Sequence, residues 1–477
     1  PLPRTIHRAI FLYSDFSFYF AVHIFFTMKK LLLLCLINSI GFSASAQWTT
    51  ICNSGNGFVV DFENYNGDLY ATGFFTSLCG NACNYVAKYD GTSWQNAGVG
   101  FPAAGHSLRN IDNELYGVAY QPNIDSNWVY KWDGSSFNKV GEGVYLTNAV
   151  TGFSQTANLY NIIKYNNQIV ACGEFDRVGN KQISGIMQWN GTSWDSLGAG
   201  LGGSIPGTPT VMYPHDMCIY GNDLIVAGNF STAGGQQVNG IARWDGTQWH
   251  PLGPGFNSSV YGICVYNGVL YAGGDFTFSG NVPLHYIAAW NGTTWQSTGF
   301  SLYYASPLNY SFVHTMTVIN GKMYISGGFD RALSGSTILQ CTGIASYDGI
   351  SVDTLSGGLP GKEIEAIALY NGQLYAGGGQ ILNVSYIANY NIPTGIPTLS
   401  NSDNFNVYPN PSNGSISIDT RAPQAEIIVC DIAGNQILHT TSSDFHAQFT
   451  IAKAGFYLVT VNTANGSSTK KLLVTEN

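Results

Sequence analysis

One pattern recurs through the middle of the chain and constrains its fold more than any other feature. After an apolar tripeptide come an aromatic residue, Asp or Asn, Gly, two further residues and a second aromatic. Complete copies occupy residues 89–94, 132–137, 189–194, 244–249 and 290–295, and shorter copies lie at 347–349 and 390–391. The mean spacing is about 50 residues, and a period in this range is typical of repeat architectures such as propellers and solenoids.

A second pattern precedes each copy: a turn pair followed by an apolar strand that ends in Gly. Asn66-Gly67 and Asn267-Gly268 show it clearly, and further copies start at residues 112, 166, 221, 320 and 371. Asn-Gly between apolar runs is a strong hairpin signal, because both central residues of a type I′ turn need positive φ. Each repeat therefore contains two hairpins and four strands, which in the fifth repeat are predicted at Val260–Tyr266, Val269–Phe276, Tyr286–Trp290 and Thr294–Thr298.

Seven repeats of a four-stranded antiparallel unit predict an all-β fold, a seven-bladed β-propeller over residues 47–392. The seventh repeat supplies only three strands, whereas Gln47–Cys52 has the residue spacing of Gln248–Gly253, around the outer strand of the fourth repeat. We therefore expect the N-terminal segment to donate the outer strand of the last blade. Such a strand would close the ring and leave no open sheet edge.

The composition agrees with this fold. Of the 477 residues 57 are Gly, 14% are aromatic and only 10% are charged, against about a quarter charged in an average globular protein. The chain is too apolar for disorder, and Gly without a three-residue period excludes collagen. A formal net charge of −9 argues against nucleic acid or an anionic membrane as the main partner.

The first 46 residues have the pattern of processing segments. A basic start at residues 28–30, an apolar stretch at 31–42 and an Ala-Ser-Ala cleavage site at 44–46 follow one another. We expect residues 28–46 to be a secretory signal peptide cleaved between Ala46 and Gln47, with no transmembrane segment in the mature chain. Residues 1–27 are interpreted as an over-extended start, and an apolar anchor at residues 10–26 is the alternative.

The cysteines do not have the spacing of a disulfide scaffold. Cys79 and Cys83 share one short loop and are the candidate for a local disulfide. Paired C-x-x-C spacing is absent, so structural zinc is not expected. Four further cysteines lie in strand-like runs, where free Cys behaves as a small core residue: Cys172, Cys218, Cys264 and Cys430.

The C-terminal part, residues 404–477, follows a predicted linker at 393–403 and contains no copy of the repeat. Its short alternating apolar runs, separated by Gly turns, are typical of a small β-sandwich. Four ordered motifs mark it: Val-Tyr-Pro-Asn-Pro, Asp-Ile-Ala-Gly, Ala-Gly-Phe-Tyr-Leu-Val and a final Lys-Lys-Leu-Leu-Val. The residues singled out in and around them are Tyr408, Pro409, Asn410, Pro411, Gly414, Gly434, Gly455, Tyr457, Lys470 and Lys471.

These motifs strongly resemble the C-terminal sorting domain of the bacterial type IX secretion system (the Por secretion system, type A sorting domain). The resemblance implies a Gram-negative, Bacteroidetes-like host, export through the signal peptide, and outer-membrane translocation by the type IX machinery as a partner. In that family the domain is usually cleaved, and the cargo is either released or attached to the cell surface. A generic carbohydrate-binding sandwich is the alternative interpretation.

The repeats themselves resemble kelch repeats at the level of fold. The resemblance rests on the period, on later Tyr and Trp residues, and on a di-glycine after the second strand at Gly273-Gly274, Gly327-Gly328 and Gly377-Gly378. The recurring motif of an aromatic residue, Asp or Asn, and Gly forms a hairpin that the kelch pattern does not contain. Because one fold supports many functions, this resemblance implies little about activity.

One column of aligned residues is a candidate binding site. Six positions before the first turn, at the start of each innermost strand, the repeats have Val60, His106, Tyr160, His215, Tyr261, His314 and Glu365. Innermost strands surround the channel of a propeller, so the three histidines could converge on a metal near the axis. The alternatives are a polar channel mouth filled with water and side chains that point between blades.

The same face should carry charged residues from the loops after the second strands: Glu174, Asp176, Arg177, Asp275, Asp330 and Arg331. Carboxylates there could act as an acid–base pair or as calcium ligands. Residues of this kind also solvate loops and cap turns, which is the alternative.

Three functions are compatible with these patterns. The favoured one is an exported binding or adhesion propeller that takes a glycan or protein on its loop-rich face, because no catalytic constellation is recognisable. The alternative is a secreted polysaccharide-active or metal-dependent enzyme with its site at the channel mouth. The third is a purely structural surface protein, which would need neither a ligand-binding face nor an active site. No cofactor is firmly implied; a metal at the propeller axis is the one considered.

Overall fold

A computed structural model describes residues 48–475 except 53, 123–125, 148–153, 208–211, 307–308, 361, 381–383, 392–404, 411, 421–422, 432–435 and 464–465. The predicted signal peptide, its cleavage site at Ala46 and Gln47, residues 1–27 and the linker at 393–403 lie outside this part. The described residues contain strands and no helix, and none of their segments is a helix that could span a membrane. Two compact units are present, one within 48–391 and one within 405–475.

The first unit is built from four-stranded antiparallel sheets, which we number 1 to 7 in chain order. Their innermost strands are Val59–Tyr65, Gly105–Ile111, Asn158–Tyr165, Tyr213–Tyr220, Val260–Tyr266, Phe312–Ile319 and Lys362–Tyr370. The second strands are Asp68–Gly73, Glu114–Gln121, Gln168–Glu174, Asp223–Asn229, Val269–Gly274, Lys322–Gly328 and Gln373–Gln380.

The third strands of sheets 1 to 7 are Val86–Tyr89, Ser126–Trp132, Ile186–Trp189, Ile241–Trp244, Ile287–Trp290, Ile344–Tyr347 and Val384–Tyr390. The outer strands of sheets 1 to 6 are Trp94–Asn96, Phe137–Thr147, Trp194–Ser196, Trp249–Pro251, Trp295–Gln296 and Val352–Asp353. Each innermost strand packs against the next one, and the last packs against the first. This arrangement is the predicted β-propeller.

Short strands in the connecting loops form additional pairings. One hairpin is Ser77–Leu78 with Asn81–Ala82, and another is Phe278–Ser279 with Val282–Pro283. The outer strand of sheet 2 is extended by Ser154–Gln155 and by the hairpin of Arg177–Val178 and Lys181–Gln182. Two three-stranded sheets complete the set, one of Leu201–Gly202, Thr232–Ala233 and Gln236–Gln237, the other of Phe300–Tyr303, Arg331–Ser334 and Thr337–Gln340.

The outer strand of sheet 7 comes from the N-terminal end of the described chain, as predicted. Trp48–Cys52 pairs antiparallel with Val384–Tyr390, with Trp48 opposite Tyr390 and Cys52 opposite Ile387. The Trp48 ring packs on the Tyr390 ring, with centroids 5.0 Å apart. A strand from one end of the chain therefore pairs with the last strand of the repeat array and closes the ring.

The recurring Asp or Asn of the repeat motif organises its own turn. The Asp90 side chain accepts hydrogen bonds from the backbone N–H groups of Thr92 and Ser93 at 2.8 and 2.9 Å. Asn190 and Asp245 do the same in their repeats. These Asx turns fix the hairpin between the third and outer strands, so the structural interpretation of the motif is confirmed.

The disulfide prediction is wrong in its pairing. Cys79 is bonded to Cys52 rather than to Cys83, with the two Cα atoms 5.1 Å apart. Cys83 is a free, buried thiol. The error has a physical cause: ring closure brings the end of the N-terminal strand beside the loop of sheet 1, a proximity that spacing within one loop does not reveal.

The second unit is a small β-sandwich. One sheet has the order Phe405–Tyr408, Ser415–Thr420, His446–Thr450, and the other has the order Gln436–Thr441, Glu426–Asp431, Gly455–Thr463, Gly466–Val474. Its core is formed by residues from both sheets, including Ile416, Ile418, Val429, Val459 and Leu472. Alternation of buried and exposed residues along the strands is what the sequence pattern predicts for a sandwich.

Several motif residues of this unit hold its strands in place. The Asn410 side chain donates to the Lys471 carbonyl at 2.8 Å and accepts from the Leu473 N–H at 3.0 Å, which ties the motif to the last strand. Tyr408 donates to Asp419 at 2.8 Å, and Tyr457 donates to a backbone carbonyl at 2.7 Å. Gly414 has a positive φ of 107°. Pro411 and Gly434 lie outside the described residues.

Candidate functional site

The aligned column of residues coincides with a β-bulge in every innermost strand. Pairing with the second strand shifts register by one residue at each of these positions, so that one residue is left unpaired. A bulge bends its strand and changes the direction in which the side chain points. The unpaired residues are Val60, His106, Tyr160, His215, Tyr261, His314 and Glu365, and all of them line one central cavity of about 710 Å³.

The aromatic members of this column form a continuous belt. The His106 ring packs edge-on to Tyr160 at 5.6 Å, and Tyr160 stacks on His215 at 5.5 Å between centroids. His215 contacts both Tyr261, at 5.8 Å, and His314, at 5.4 Å. We call these five residues the aromatic belt. All five residues line the cavity, and each combines an aromatic ring with a ring nitrogen or hydroxyl that can form hydrogen bonds.

The histidines of the belt are neutral. Burial lowers the pKa of His106 to about 4 and that of His314 to about 3, and a neighbouring histidine adds to each effect. Burial also lowers the pKa of His215, whose Nδ1 donates to the Tyr261 carbonyl at 2.8 Å. The belt therefore supplies polar but uncharged groups at neutral pH.

The metal prediction for His106, His215 and His314 is not supported by their geometry. Within the part of the chain that the structure describes, no group of three or more His, Cys, Asp or Glu side chains could hold a metal ion. Tyr160 lies between His106 and His215, and Nδ1 of His215 is engaged with a backbone carbonyl, while the His215 and His314 rings contact each other at 5.4 Å.

Two of the predicted loop carboxylates join the belt. The Tyr160 hydroxyl donates to Glu174 at 3.3 Å, and Asn158 donates to the same carboxylate oxygen at 3.3 Å. In the equivalent position of sheet 5, the Tyr261 hydroxyl donates to Asp275 at 3.0 Å. The column and the loop residues, which the sequence analysis treated separately, thus meet as two tyrosine–carboxylate pairs.

The other charged loop residues bind neighbouring loops and strands or their own backbone. Asp176 accepts from the N–H of Thr147 at 3.0 Å, and Asp330 accepts from the N–H of Ala305 at 2.8 Å. Arg331 donates to the Asp330 carbonyl at 2.8 Å. The Arg177 guanidinium lies over the Tyr145 ring, 5.3 Å from its centroid. These contacts agree with the loop-capping alternative for Asp176, Asp330 and Arg331.

A second layer of polar residues, next to the bulges, was not predicted. Each follows a column residue by one position and bonds to the adjacent sheet. Asp61 accepts from Arg109 Nη1 at 2.6 Å, and Asn161 donates to Asp216 at 2.6 Å. The other oxygen of Asp216 accepts from the Ile263 N–H at 2.8 Å. The sequence does contain a signal for this layer: in the aligned repeats, the position directly after the column residue is often polar, as at Asp61, Asn161 and Asp216.

Three carboxyl groups of the cavity titrate above their usual range. Burial raises the pKa of Glu365 to about 7, helped by the nearby charge of Glu363. Burial likewise raises the pKa of Glu63 to about 7 and that of Asp216 to about 6, although the Arg109 charge opposes both shifts. A fraction of these groups is therefore protonated near neutral pH.

Exposed aromatic residues extend the belt outward. Phe74 is 47% exposed and its ring lies edge-on to His106 at 5.2 Å. Tyr310 is 62% exposed and contacts Phe312 at 6.0 Å, which in turn contacts His314 at 6.4 Å. Aromatic surface therefore continues from the cavity to solvent on two sides.

Comparison with known proteins identifies the second unit. The family of secretion system C-terminal sorting domains matches residues 406–475. No curated protein matches the chain. Among solved structures, PorZ, a surface component of the type-IX secretion system of Porphyromonas gingivalis, is 16% identical with a TM-score of 0.42, over 87% of this chain and 59% of its own length.

Two further solved structures are similar at low identity. The β-propeller domain of the Trilobed protease from Pyrococcus furiosus is 7% identical with a TM-score of 0.38, over 70% of this chain and 95% of that domain. A mutant sialidase from Trypanosoma rangeli is 10% identical with a TM-score of 0.33, over 91% and 90% of the two chains. The likeness to kelch repeats stays a prediction.

The sorting domain implies an interaction with the secretion machinery and points to a secreted or cell-surface protein. The chain thus combines a β-propeller with a C-terminal domain of the secretion-system sorting family.

Proposed function

We propose that this protein is exported by the type IX system and binds a glycan at the mouth of the propeller channel, as an adhesion or binding module. The observation that carries the proposal is the aromatic belt with its two tyrosine–carboxylate pairs. Sugars present apolar C–H faces and many hydroxyls, so their sites combine aromatic platforms with a few fixed polar groups. A protein ligand is the second possibility within this function.

The chemistry of the mouth suits an uncharged, hydroxyl-rich ligand. Neutral histidine edges both donate and accept hydrogen bonds. Glu174 provides an acceptor held by two donors on one oxygen. Phe74 and Tyr310 place exposed rings at the rim, where stacking on a sugar ring removes apolar surface from water.

A glycan array tests this proposal. We expect the purified protein to be retained on one class of glycan, and the double substitution Phe74→Ala and Tyr310→Ala to weaken that binding by about tenfold or more, since two stacking surfaces are lost. Phe278→Ala is the matched control, because Phe278 is 45% exposed but, within the described part of the chain, its ring makes no contact with the aromatic belt of the kind that Phe74 makes with His106. Equal binding by the double variant and the control would contradict the proposed site.

An enzyme acting on polysaccharide is the second candidate, favoured by Glu365. A carboxyl group that is partly protonated near neutral pH, in a cavity open to a glycan, has the property required of a general acid in glycoside hydrolysis. Release of reducing ends from the retained glycan, lost in Glu365→Gln, would establish this activity. Binding without any release would favour the adhesion module.

A further inference from the structure

Asp275 lies within a cluster of tyrosines on the loop face. Its Oδ2 atom accepts hydrogen bonds from the hydroxyls of both Tyr261 and Tyr310. Tyr213 and Tyr286 lie close enough to influence the ionisation of Tyr310. We call these five residues the Asp275 cluster. The pKa values of Tyr261 and Tyr310 are both raised, by burial first and by the Asp275 charge as well, so the hydroxyls remain donors at neutral pH.

The other carboxylate oxygen of Asp275 lacks a hydrogen-bond partner. Oδ1 is shielded from solvent and has no donor among the described residues. A buried acceptor without a donor destabilises the fold, and it does so more strongly when it is charged. Glu174, the equivalent carboxylate of sheet 3, has no such orphaned oxygen among the described atoms. The Tyr160–Glu174 and Tyr261–Asp275 pairs therefore occupy equivalent positions. Of the two carboxylates, Asp275 is the one with a buried oxygen that has no hydrogen-bond donor among the described residues.

No compensating positive charge reaches this carboxylate. Among the ion pairs of the described residues none involves Asp275. The two belt histidines that contact Tyr261, His215 at 5.8 Å and His314 at 6.0 Å, are both neutral because burial lowers their pKa values. An anionic oxygen surrounded by aromatic rings is an environment that attracts a cation, through both the carboxylate and the ring faces.

We propose that the Asp275 cluster binds a protonated amino group of the ligand, so that the glycan recognised at the channel mouth contains an amino sugar with a free amine. This inference rests on the proposed function and names its ligand class. An ammonium has three N–H donors. One would satisfy Oδ1, one would take the place of the Tyr310 hydroxyl on Oδ2, and the exposed Tyr310 ring would cover the amine.

The test compares two tetrasaccharides that differ only at the amine: a β-1,4-glucosamine tetramer and its fully N-acetylated counterpart. Affinity for the full protein is measured by calorimetry at a pH where the amine is protonated. We expect the glucosamine tetramer to bind about tenfold or more tightly, the size expected from one charge-assisted hydrogen bond. Asp275→Asn should abolish this preference, whereas Glu174→Gln should retain it.

A further variant tests the exchange of donors. Tyr310→Phe keeps the ring and removes the competing hydroxyl, so its affinity for the glucosamine tetramer should equal or exceed that of the unmodified protein. Unchanged thermal unfolding of all three variants shows that they are folded. Loss of the preference in Tyr310→Phe, or its survival in Asp275→Asn, would overturn the assignment.

The two proposals fail in different ways. If acetylated or other neutral glycans bind at the mouth and the amine gives no advantage, the amino-group inference is wrong and the proposed function stands. If neither tetramer nor any arrayed glycan is retained, both are wrong.

Discussion

The junctions between sheets are held in two different ways. Between sheets 3 and 4, the Trp249 indole donates to the Leu197 carbonyl at 3.1 Å, and between sheets 4 and 5 the Trp295 indole donates to the Leu252 carbonyl at 3.0 Å. Between sheets 7 and 1, the equivalent indole N–H of Trp94 is buried and finds no acceptor among the described residues. There the Cys52–Cys79 disulfide joins the two sheets instead.

The use of a disulfide in place of an indole hydrogen bond indicates that the junction between sheets 7 and 1 needs a stronger connection than the junctions between sheets 3 and 4 and between sheets 4 and 5. At those two junctions the acceptors Leu197 and Leu252 directly follow the outer strands of sheets 3 and 4, and a short hairpin joins each of these strands to the third strand of its own sheet. The closing junction depends on a five-residue strand, Trp48–Cys52, which no hairpin joins to sheet 7, so its separation would bring a large gain in conformational entropy. A covalent bond limits that separation. We expect the two kinds of junction to respond differently to mutation.

Removal of the closing strand should have the largest effect. Deletion of residues 48–52 exposes the edge of sheet 7, removes the hydrogen bond from Trp48 to the Leu355 carbonyl and eliminates the disulfide. We expect a loss of about 5 kcal/mol or more in the free energy of unfolding. Urea denaturation measures it. An unchanged midpoint would show that the ring does not depend on this strand.

Removal of the disulfide alone should cost less. In the double variant Cys52→Ala and Cys79→Ala, we expect a loss of about 3 kcal/mol, because the unfolded chain regains the freedom of the loop between the two cysteines, 27 positions apart. A reducing agent should lower the stability of the unmodified protein by the same amount and leave the variant unaffected. Equal stability of the oxidised and reduced proteins would contradict a stabilising role.

The smallest effect should separate the two junctions directly. Trp249→Phe removes a buried donor and leaves the Leu197 carbonyl without it, so we expect a loss of about 1–2 kcal/mol beyond the change in packing. Trp94→Phe removes a donor that already has no acceptor, and it should cost less than Trp249→Phe. Thermal unfolding of the two variants measures these costs, and an equal or larger cost for Trp94→Phe would contradict the proposed difference between the junctions.

Much of the fold could be predicted because its signals are local. Asn-Gly turns such as Asn267-Gly268 and the Asx turn of Asp90 act within a few residues, and a repeated local signal reveals a repeated sheet. The partner of Cys79 could not be predicted, because it depends on closure of the whole ring. Alignment of the repeats identified the column residues. The β-bulge that sets the direction of their side chains could not be predicted, because it is a property of strand pairing.

The sequence predicted that the column residues lie together around the channel, but it did not predict the contacts among them. The histidine column suggested a metal, whereas the Tyr160 and Tyr261 rings pack among the histidines and burial lowers the histidine pKa values, so that the belt is aromatic and uncharged at neutral pH. The meeting of Tyr261 with Asp275 depends on the direction of two side chains from different strands. Sequence alone does not supply such directions.

Closure by the N-terminal strand has a consequence for the order of folding. The Thr50 and Tyr386 hydroxyls, 3.4 Å apart, belong to residues separated by 336 positions. Contacts of such high order form late, because the entropy of closing the intervening loop must be lost before they are gained. Trp48–Cys52 can therefore pair only after Val384–Tyr390, the last strand of the array, is present. The ring closes only when the whole propeller has left the site of synthesis or transport and can fold.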